Sequence, residues 1–273
     1  MANITPTNVE TPDSEDAAQG RMSFFEHLAE LRKRIINSLI AIALCAGAGV
    51  AISQKVIRII NAPMIKALGE NGLNPSLYLS SPTEVVGLWI NIGIYIGIAL
   101  AMPYVLYQVW LFVAPGLYKH ERKAVTSFIF FGTFLFACGA AFAYFIMLPQ
   151  MLDFLVHFTK EFSIQPLIDV NEYYDLILIV TVGIGVIFEM PIIVYILSLF
   201  GLVTPKFLLR NFRYAMLIIT VAAAIITPTP DATTMLVFMM PMVALYFISV
   251  LVSYLVVRKK RAKETAPAAP ATS

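Results

Sequence analysis

Charge is scarce in this sequence. Only 13% of the 273 residues are charged and 59% are hydrophobic, whereas about a quarter of the residues in a soluble domain are charged. The mean hydropathy of +0.80 also excludes an ordinary water-soluble fold. Six stretches are almost free of charge, with Glu189 as the one interruption: 35–54, 85–118, 124–152, 176–205, 214–230 and 232–257. Because about 20 apolar residues span a bilayer as a helix, these stretches predict six transmembrane helices.

Groups that carry catalysis are also few. Cys45 and Cys138 lie inside the predicted first and third spans, where a free cysteine acts as a small apolar residue. His27, His120 and His157 fall at or outside the predicted membrane edges, and none has the spacing of a metal-binding pair. The sequence contains no nucleophile motif and no phosphate-binding loop. We therefore expect no enzyme, metal or cofactor, and the net charge of +2 gives no sign of nucleic-acid binding.

The basic residues alternate between the two sides of the predicted membrane domain. Fifteen of the 19 lysines and arginines fall on one side. Because basic residues of short loops are retained in the cytoplasm, we predict that both termini are cytoplasmic. We expect residues 1–22 and 259–273 to be disordered tails, because they are polar or rich in alanine and proline. The membrane domain would then cover residues 23–258.

Breaks in the apolar pattern predict the loops. Residues 55–82 hold several prolines and glycines, which predicts an external cap rather than a continuous helix. A second external loop is predicted from about Pro149 to Glu172. A fifth span from Phe212 to Ile226 reaches only ~22 Å, against a hydrocarbon thickness of ~30 Å. We therefore expect the fifth and sixth spans to be short and joined by a tight turn.

Small residues recur inside the second span. Gly93 and Gly97 are four residues apart, a spacing that allows a neighbouring helix to approach closely. We interpret this pattern as packing within the chain rather than as a dimer interface.

Glu189 is the single acidic residue inside a predicted span. It lies about 11 residues, or ~16 Å, from the cytoplasmic end of that span near Phe200, which places it near the middle of the bilayer. A carboxyl there costs at least ~2.5 kcal/mol on insertion scales, and Pro191 is expected to kink the helix beside it. Two interpretations remain open: a functional polar pocket, and a structural hydrogen bond to a neighbouring span.

Two further acids, Glu30 and Glu121, lie among basic residues at the predicted cytoplasmic surface. Carboxylates are planar acceptors that a guanidinium group can bind with two hydrogen bonds. Each acid is otherwise explained as a solvated salt-bridge partner, and Glu30 has Arg34 four residues later. The spacing places both acids on one side of the membrane without showing that they are close together.

Four segments form a recognisable set. They are HLAELRKR at 27–34, YQVW through APGLYKHER at 107–122, FEMP at 188–191 and TPTPD at 227–231. Together they resemble signatures of the TatC family, the multi-span receptor subunits of the twin-arginine protein translocase, over about residues 23–258. The resemblance implies an all-α protein whose six spans form a glove-like concave bundle. One departure is the last segment, which more often reads Thr-Pro-Pro-Asp in the family.

The resemblance also implies a binding surface. Glu30 and Glu121 match the acids that recognise the twin-arginine signal peptides of folded cargo at the cytoplasmic face. Phe112 and Leu117 match their neighbours in the same surface.

Further roles concern the membrane-embedded part. Pro63 matches a functionally sensitive position in the first external loop, and Glu189 matches an intramembrane acid on the concave side. The expected partners are TatB-like and TatA-like single-span subunits, a second copy of the chain and the lipid bilayer, with the proton-motive force as the energy source. The location implied is the bacterial inner membrane. Because the fifth and sixth spans are short, we expect partner helices to dock there, at Met216 and Leu217.

An alternative function is a proton-coupled small-molecule transporter that uses Glu189 as its proton site, and a channel is a third possibility. A comparison of the affinities for peptides that carry Arg-Arg and for peptides that carry Lys-Lys separates these classes, because a small-solute transporter has no reason to discriminate between the two peptides.

Overall fold

The structure, a computed structural model, describes residues 24–74, 76–114, 125–161, 167–227 and 231–264. Within these ranges the only β-structure is an isolated bridge between Tyr78 and Asp169, so the predicted all-α class is confirmed. The helices are α1 (Phe24–Glu70), α2 (Glu84–Val113), α3 (Val125–Phe142), α4 (Leu148–Glu161), α5 (Val170–Ile187), α6 (Met190–Leu199), α7 (Pro205–Arg210), α8 (Phe212–Ile226) and α9 (Ala232–Glu264). A π-helical segment, Ala143–Met147, joins α3 to α4.

Five helical units of the described chain are long and apolar enough to cross a membrane: α1, α2, α3 with α4, α5 with α6, and α9. A sixth apolar helix, α8, has only 15 residues and begins and ends at the residues predicted for the short fifth span. The expectation of a short sixth span is wrong. Helix α9 has 33 residues and continues past Arg258 to Glu264, because basic residues with good helix propensity follow its apolar stretch.

Two predicted loops are largely helical. Helix α1 runs for 47 residues, with Pro63 in its interior, so most of the predicted cap at 55–82 is helix. The expectation that Pro63 lies in a loop is therefore wrong. In the second region, α4 extends to Glu161 and α5 starts at Val170. In both regions the residues between the prolines and glycines have enough helix propensity to outweigh the helix-breaking effect of those residues.

Helices α1 and α2 cross at glycines. A Cβ added to Gly97 would lie 2.7 Å from the Ala46 backbone nitrogen, and one added to Gly93 would lie 2.5 Å from Val50 Cγ2. Gly49 faces the same contact from α1, since its Cβ would lie 2.8 Å from the Gly93 carbonyl oxygen. The interpretation of Gly93 and Gly97 as a packing face within the chain is confirmed. Such close backbone approach stabilises helix pairs in membranes, where dispersion replaces the hydrophobic effect.

A second crossing brings α3 against α5. A Cβ on Gly139 would lie 2.7 Å from the Phe188 ring, and one on Gly185 would lie 2.7 Å from Phe136. Helix α9 is tied to α6 by a buried hydrogen bond of 2.9 Å from Ser198 to Ser253. These contacts place the end of α5 beside α3 and hold α6 against α9.

The loop after α1 is bound to the start of α5. The amide of Tyr78 donates to Ile168 O at 3.0 Å, and the amide of Val170 donates to Tyr78 O at 2.9 Å. Asp169 caps α5 by accepting the Asn171 amide at 2.8 Å and also accepts the Ser80 hydroxyl. The hydrogen bond from Ser80 and, to a lesser extent, that from the Asn171 amide hold the pKa of Asp169 below its ordinary value.

Candidate functional site

The first candidate site lies between the beginning of α1 and the end of α2. His27, Glu30 and Arg34 share one face of α1 because they follow helical spacing, and Gln108 and Phe112 share one face of α2 for the same reason. These two faces contact each other. We call these five residues the α1–α2 site.

Arg34 is the centre of the polar part of this site. Its Nη2 donates to Glu30 Oε1 at 2.9 Å, which confirms the ion pair that the i,i+4 spacing indicates. Its Nη1 donates to Gln108 Oε1 at 3.2 Å, and this bond joins α1 to α2. Gln108 is 3% exposed, so its amide is a fixed acceptor on the second helix.

Glu30 keeps an unused acceptor. Its side chain is 14% exposed, and its Oε2 is buried with no hydrogen-bond partner among the described residues. The Nε of Arg34 is likewise buried with no hydrogen-bond partner among the described residues. A carboxylate has about four lone-pair sites, so Glu30 can accept a further donor without losing its helix geometry.

An aromatic surface lies one turn from Glu30. The ring of His27 stacks on that of Phe112, with centroids 4.4 Å apart and planes inclined by 20°. Phe112 is half-buried, so part of its ring remains available to a ligand. The structure therefore brings together two of the four residues predicted for signal binding, Glu30 and Phe112. The other two, Glu121 and Leu117, lie outside the described residues.

The sequence alone did not predict that three members of the α1–α2 site belong to it: His27, Arg34 and Gln108. Gln108 carries a usable signal, because a glutamine inside an apolar span needs a partner for its amide. Its partner on another helix is visible only in three dimensions.

The second candidate site is Glu189, at a break in the fourth apolar unit. A turn at Phe188 and Glu189 separates α5 from α6, and Pro191 follows in the first turn of α6, so the kink predicted there is confirmed. Glu189 is 5% exposed. Gly132 of α3 makes room for the carboxyl, since a Cβ there would lie 3.2 Å from Glu189 Oε2.

Both oxygens of Glu189 lack a hydrogen-bond partner among the described residues. Within these residues Glu189 therefore makes no structural hydrogen bond to a neighbouring span, which was one of the two interpretations of its position. Next to this position, an apolar groove of about 390 Å³ runs between α3, α6 and α9 and includes Pro191 and Tyr195. A buried, unpaired carboxyl beside such a groove is a strong acceptor for a polar group that enters from outside.

Pro63 is buried inside α1. Proline has no amide hydrogen, so the carbonyl of Ile59, four residues earlier, loses its helical partner. The Tyr144 hydroxyl of the π-helical segment donates to this carbonyl at 2.5 Å, and Tyr173 donates to the next one, Ile60, at 2.7 Å. The proline therefore creates an acceptor that a tyrosine from another span satisfies.

Replacing Tyr144 by phenylalanine should lower the free energy of unfolding by about 1 kcal/mol, because the Ile59 carbonyl is then left without a donor. Tyr254→Phe is the matched control: this tyrosine is 52% exposed, and its hydroxyl makes no hydrogen bond to the described residues. Denaturant titration of both variants in detergent measures the difference. Equal stability of the two variants would contradict the role assigned to Tyr144.

The predicted docking residues lie on different sides of α8. Leu217 is 62% exposed and available to a partner. Met216 is partly buried against the core of the bundle. Within the described residues no group of three or more metal-ligating side chains occurs, and both cysteines are free.

A family model described as Sec-independent protein translocase protein (TatC) matches residues 26–241. This chain belongs to the TatC family. It is 44% identical over 252 residues to the Sec-independent protein translocase protein TatC of Koribacter versatilis (strain Ellin345), covering 92% of this chain and 91% of the relative. Identity to the TatC of Aquifex aeolicus (strain VF5) is 37% over 242 residues, covering 88% and 98% of the two chains.

The fold agrees with this assignment. The structure resembles the solved crystal structure of a twin arginine translocase receptor, TatC, with a TM-score of 0.74, 37% identity and coverage of 85% of this chain and 100% of the other. The chain is thus a TatC component of the Tat protein translocase, an inner-membrane protein of the protein-transport machinery.

Proposed function

We propose that this TatC-family chain is the core receptor of the twin-arginine translocase and that its α1–α2 site binds the signal peptides of folded proteins at the cytoplasmic face. The observation that carries the proposal is Glu30, a largely buried carboxylate with one unpaired oxygen. Such a group prefers a guanidinium, which can donate in a fixed planar geometry. The name of the similar solved structure, a twin arginine translocase receptor, supports the same ligand.

The affinity has to come from more than ion pairing. An exposed ion pair contributes only about 0.2–1 kcal/mol, whereas micromolar binding requires about 8 kcal/mol. Apolar contacts supply the difference, and Phe112, which stacks on His27 beside Glu30, is the described residue placed to make them. We assign Leu117 the same role and Glu121 the second guanidinium.

Glu30→Gln and Glu121→Gln should each weaken binding of an Arg-Arg signal peptide by about tenfold, the effect of losing one charge-assisted hydrogen bond. Binding of the Lys-Lys peptide should change much less, because an ammonium is a strongly hydrated point charge without the paired planar donors that match a carboxylate. Fluorescence titration with purified protein in nanodiscs measures both peptides.

Glu172→Gln is the control for the removed charge, because Glu172 is an exposed acid in the first turn of α5, away from the α1–α2 site. It should leave both affinities unchanged. Equal losses for the two peptides in the Glu30 and Glu121 variants would rule out the guanidinium assignment.

The remaining parts of the proposal concern the complex. Both termini lie in the cytoplasm, as the distribution of basic residues indicates. TatB-like and TatA-like subunits and a second copy of the chain assemble around it, and the proton-motive force drives transport. The small-molecule transporter that uses Glu189 finds no support in the comparisons, which all point to a protein translocase.

Partner helices should dock on the exposed face of α8. A cysteine at Leu217, which is 62% exposed, should crosslink efficiently to a single-span partner, whereas one at Ile219, 2% exposed, should not. Met216, being partly buried, should crosslink more weakly. The yield of crosslinked product is measured by gel electrophoresis of membranes that contain both subunits. Crosslinks from α1 alone would show that the docking site lies elsewhere.

A further inference from the structure

Arg34 is placed where a ligand guanidinium would be expected. It is itself a guanidinium, and it donates to Glu30 Oε1 at 2.9 Å. We infer that Arg34 is an internal competitor: in the empty receptor it occupies Glu30, and a signal arginine has to displace it. This inference rests on the proposed function.

The local geometry favours occupation of the empty site. Arg34 and Glu30 are four residues apart on α1, so the helix holds the two groups together with no loop to order. Their side chains are 22% and 14% exposed. A carboxylate so little hydrated is costly without a cation, and Arg34 provides that cation until a ligand arrives.

A second guanidinium binds Glu30 less favourably while Arg34 remains in place. One oxygen of Glu30 is bound to Arg34, and the other is unpaired but buried beside it. Two guanidinium groups on one carboxylate repel each other, which lowers the affinity of Glu30 for the second. The arriving arginine therefore takes over Glu30 while the guanidinium of Arg34 moves off.

Gln108 gives the displaced group a place to remain. Its Oε1 already accepts Arg34 Nη1 at 3.2 Å, and its burial on α2 fixes it there. Rotation of the guanidinium about this bond releases Glu30 without breaking every hydrogen bond of Arg34. The amide carries no charge, so it holds Arg34 less strongly than Glu30 does.

Competition of this kind produces selectivity. Only a ligand that binds Glu30 at least as well as Arg34 can displace it, and a guanidinium meets that condition with paired planar donors. An ammonium is a compact, strongly hydrated charge and replaces the lost bonds poorly. Arg34 thus makes the binding of lysine-containing peptides less favourable. The selectivity comes from the cost of displacing Arg34 rather than from an additional contact with the signal arginine.

The test is the affinity of Arg34→Gln for Arg-Arg and Lys-Lys signal peptides, measured with the full chain in nanodiscs. Removal of the competitor should tighten Arg-Arg binding by about three- to fivefold and Lys-Lys binding by a larger factor, so that the ratio of the two affinities falls. Arg34→Lys, which keeps the charge but competes less well, should give smaller changes in the same direction.

Arg32→Gln is the matched control, because this exposed arginine lies on the same helix and its loss changes the net charge equally. It should leave the affinity ratio unchanged. Unchanged or weaker binding in both Arg34 variants, or an unchanged ratio of the two affinities, would overturn the inference, because the displacement of Arg34 is what penalises the Lys-Lys peptide. If Arg34→Gln fails to fold in a thermal unfolding assay, Arg34→Lys decides by the same criterion. A wild-type protein that does not prefer Arg-Arg over Lys-Lys would instead refute the proposed function.

Discussion

Replacing Gly97 by alanine should lower the free energy of unfolding by about 2 kcal/mol, the usual cost of an extra methyl group in a packed contact. The added Cβ would lie 2.7 Å from the nitrogen and 2.8 Å from the Cα of Ala46. These are backbone atoms of α1, so no side-chain rotation can relieve the overlap. The two helices have to separate, which also disturbs the Arg34–Gln108 bond between them.

Gly87→Ala is the control on the same helix. Nothing lies within 4 Å of a Cβ at that position, so alanine should be neutral or should stabilise the helix by up to about 1 kcal/mol. Denaturant titration in mixed micelles measures both variants. Equal effects of the two substitutions would show that the α1–α2 crossing is looser than the structure describes.

Glu189→Ala should reduce export of a folded twin-arginine reporter by about tenfold or more, the effect of losing a hydrogen bond to a charged or polar partner. Glu189→Gln should retain most of the export. Both oxygens of Glu189 are buried and unpaired in the described chain, so they can accept hydrogen bonds from a polar group of a partner. Glutamine keeps the shape of the side chain and an amide that can hydrogen bond, whereas alanine removes both.

The same pair of variants separates docking from proton transfer. A proton relay needs ionisation, which glutamine lacks, so a relay predicts that Glu189→Gln is as inactive as Glu189→Ala. Export in cells, normalised to the membrane level of each variant, decides between the two. Equal inactivity would refute the docking role proposed for this carboxyl.

The predictions that succeeded depended on local chemistry. The Glu30–Arg34 pair follows from a spacing of four residues on a helix, and the kink beside Glu189 follows from Pro191. The bounds of α8 follow from Arg213 and Pro228, which flank its apolar run in the sequence. In each case the cause lies within a few residues of its effect.

The predictions that failed depended on distant partners. Pro63 was expected to interrupt α1, because a proline removes one helical hydrogen bond and crowds a carbonyl. The hydroxyls of Tyr144 and Tyr173, contributed by two other spans, donate to the neighbouring carbonyls and offset that cost.

The sequence by itself determined that the chain is a membrane protein, that its fold is all-α and which family it belongs to. These conclusions depend on the scarcity of charge and on four local motifs, which are properties of the chain alone. Only the tertiary structure decided which groups meet. The contact of Arg34 with Gln108 joins residues 74 positions apart, and that of Tyr144 with Ile59 joins residues 85 apart. Such pairings depend on how helices cross, and in a membrane the crossing is set by close steric fit between small residues, which a linear pattern does not specify.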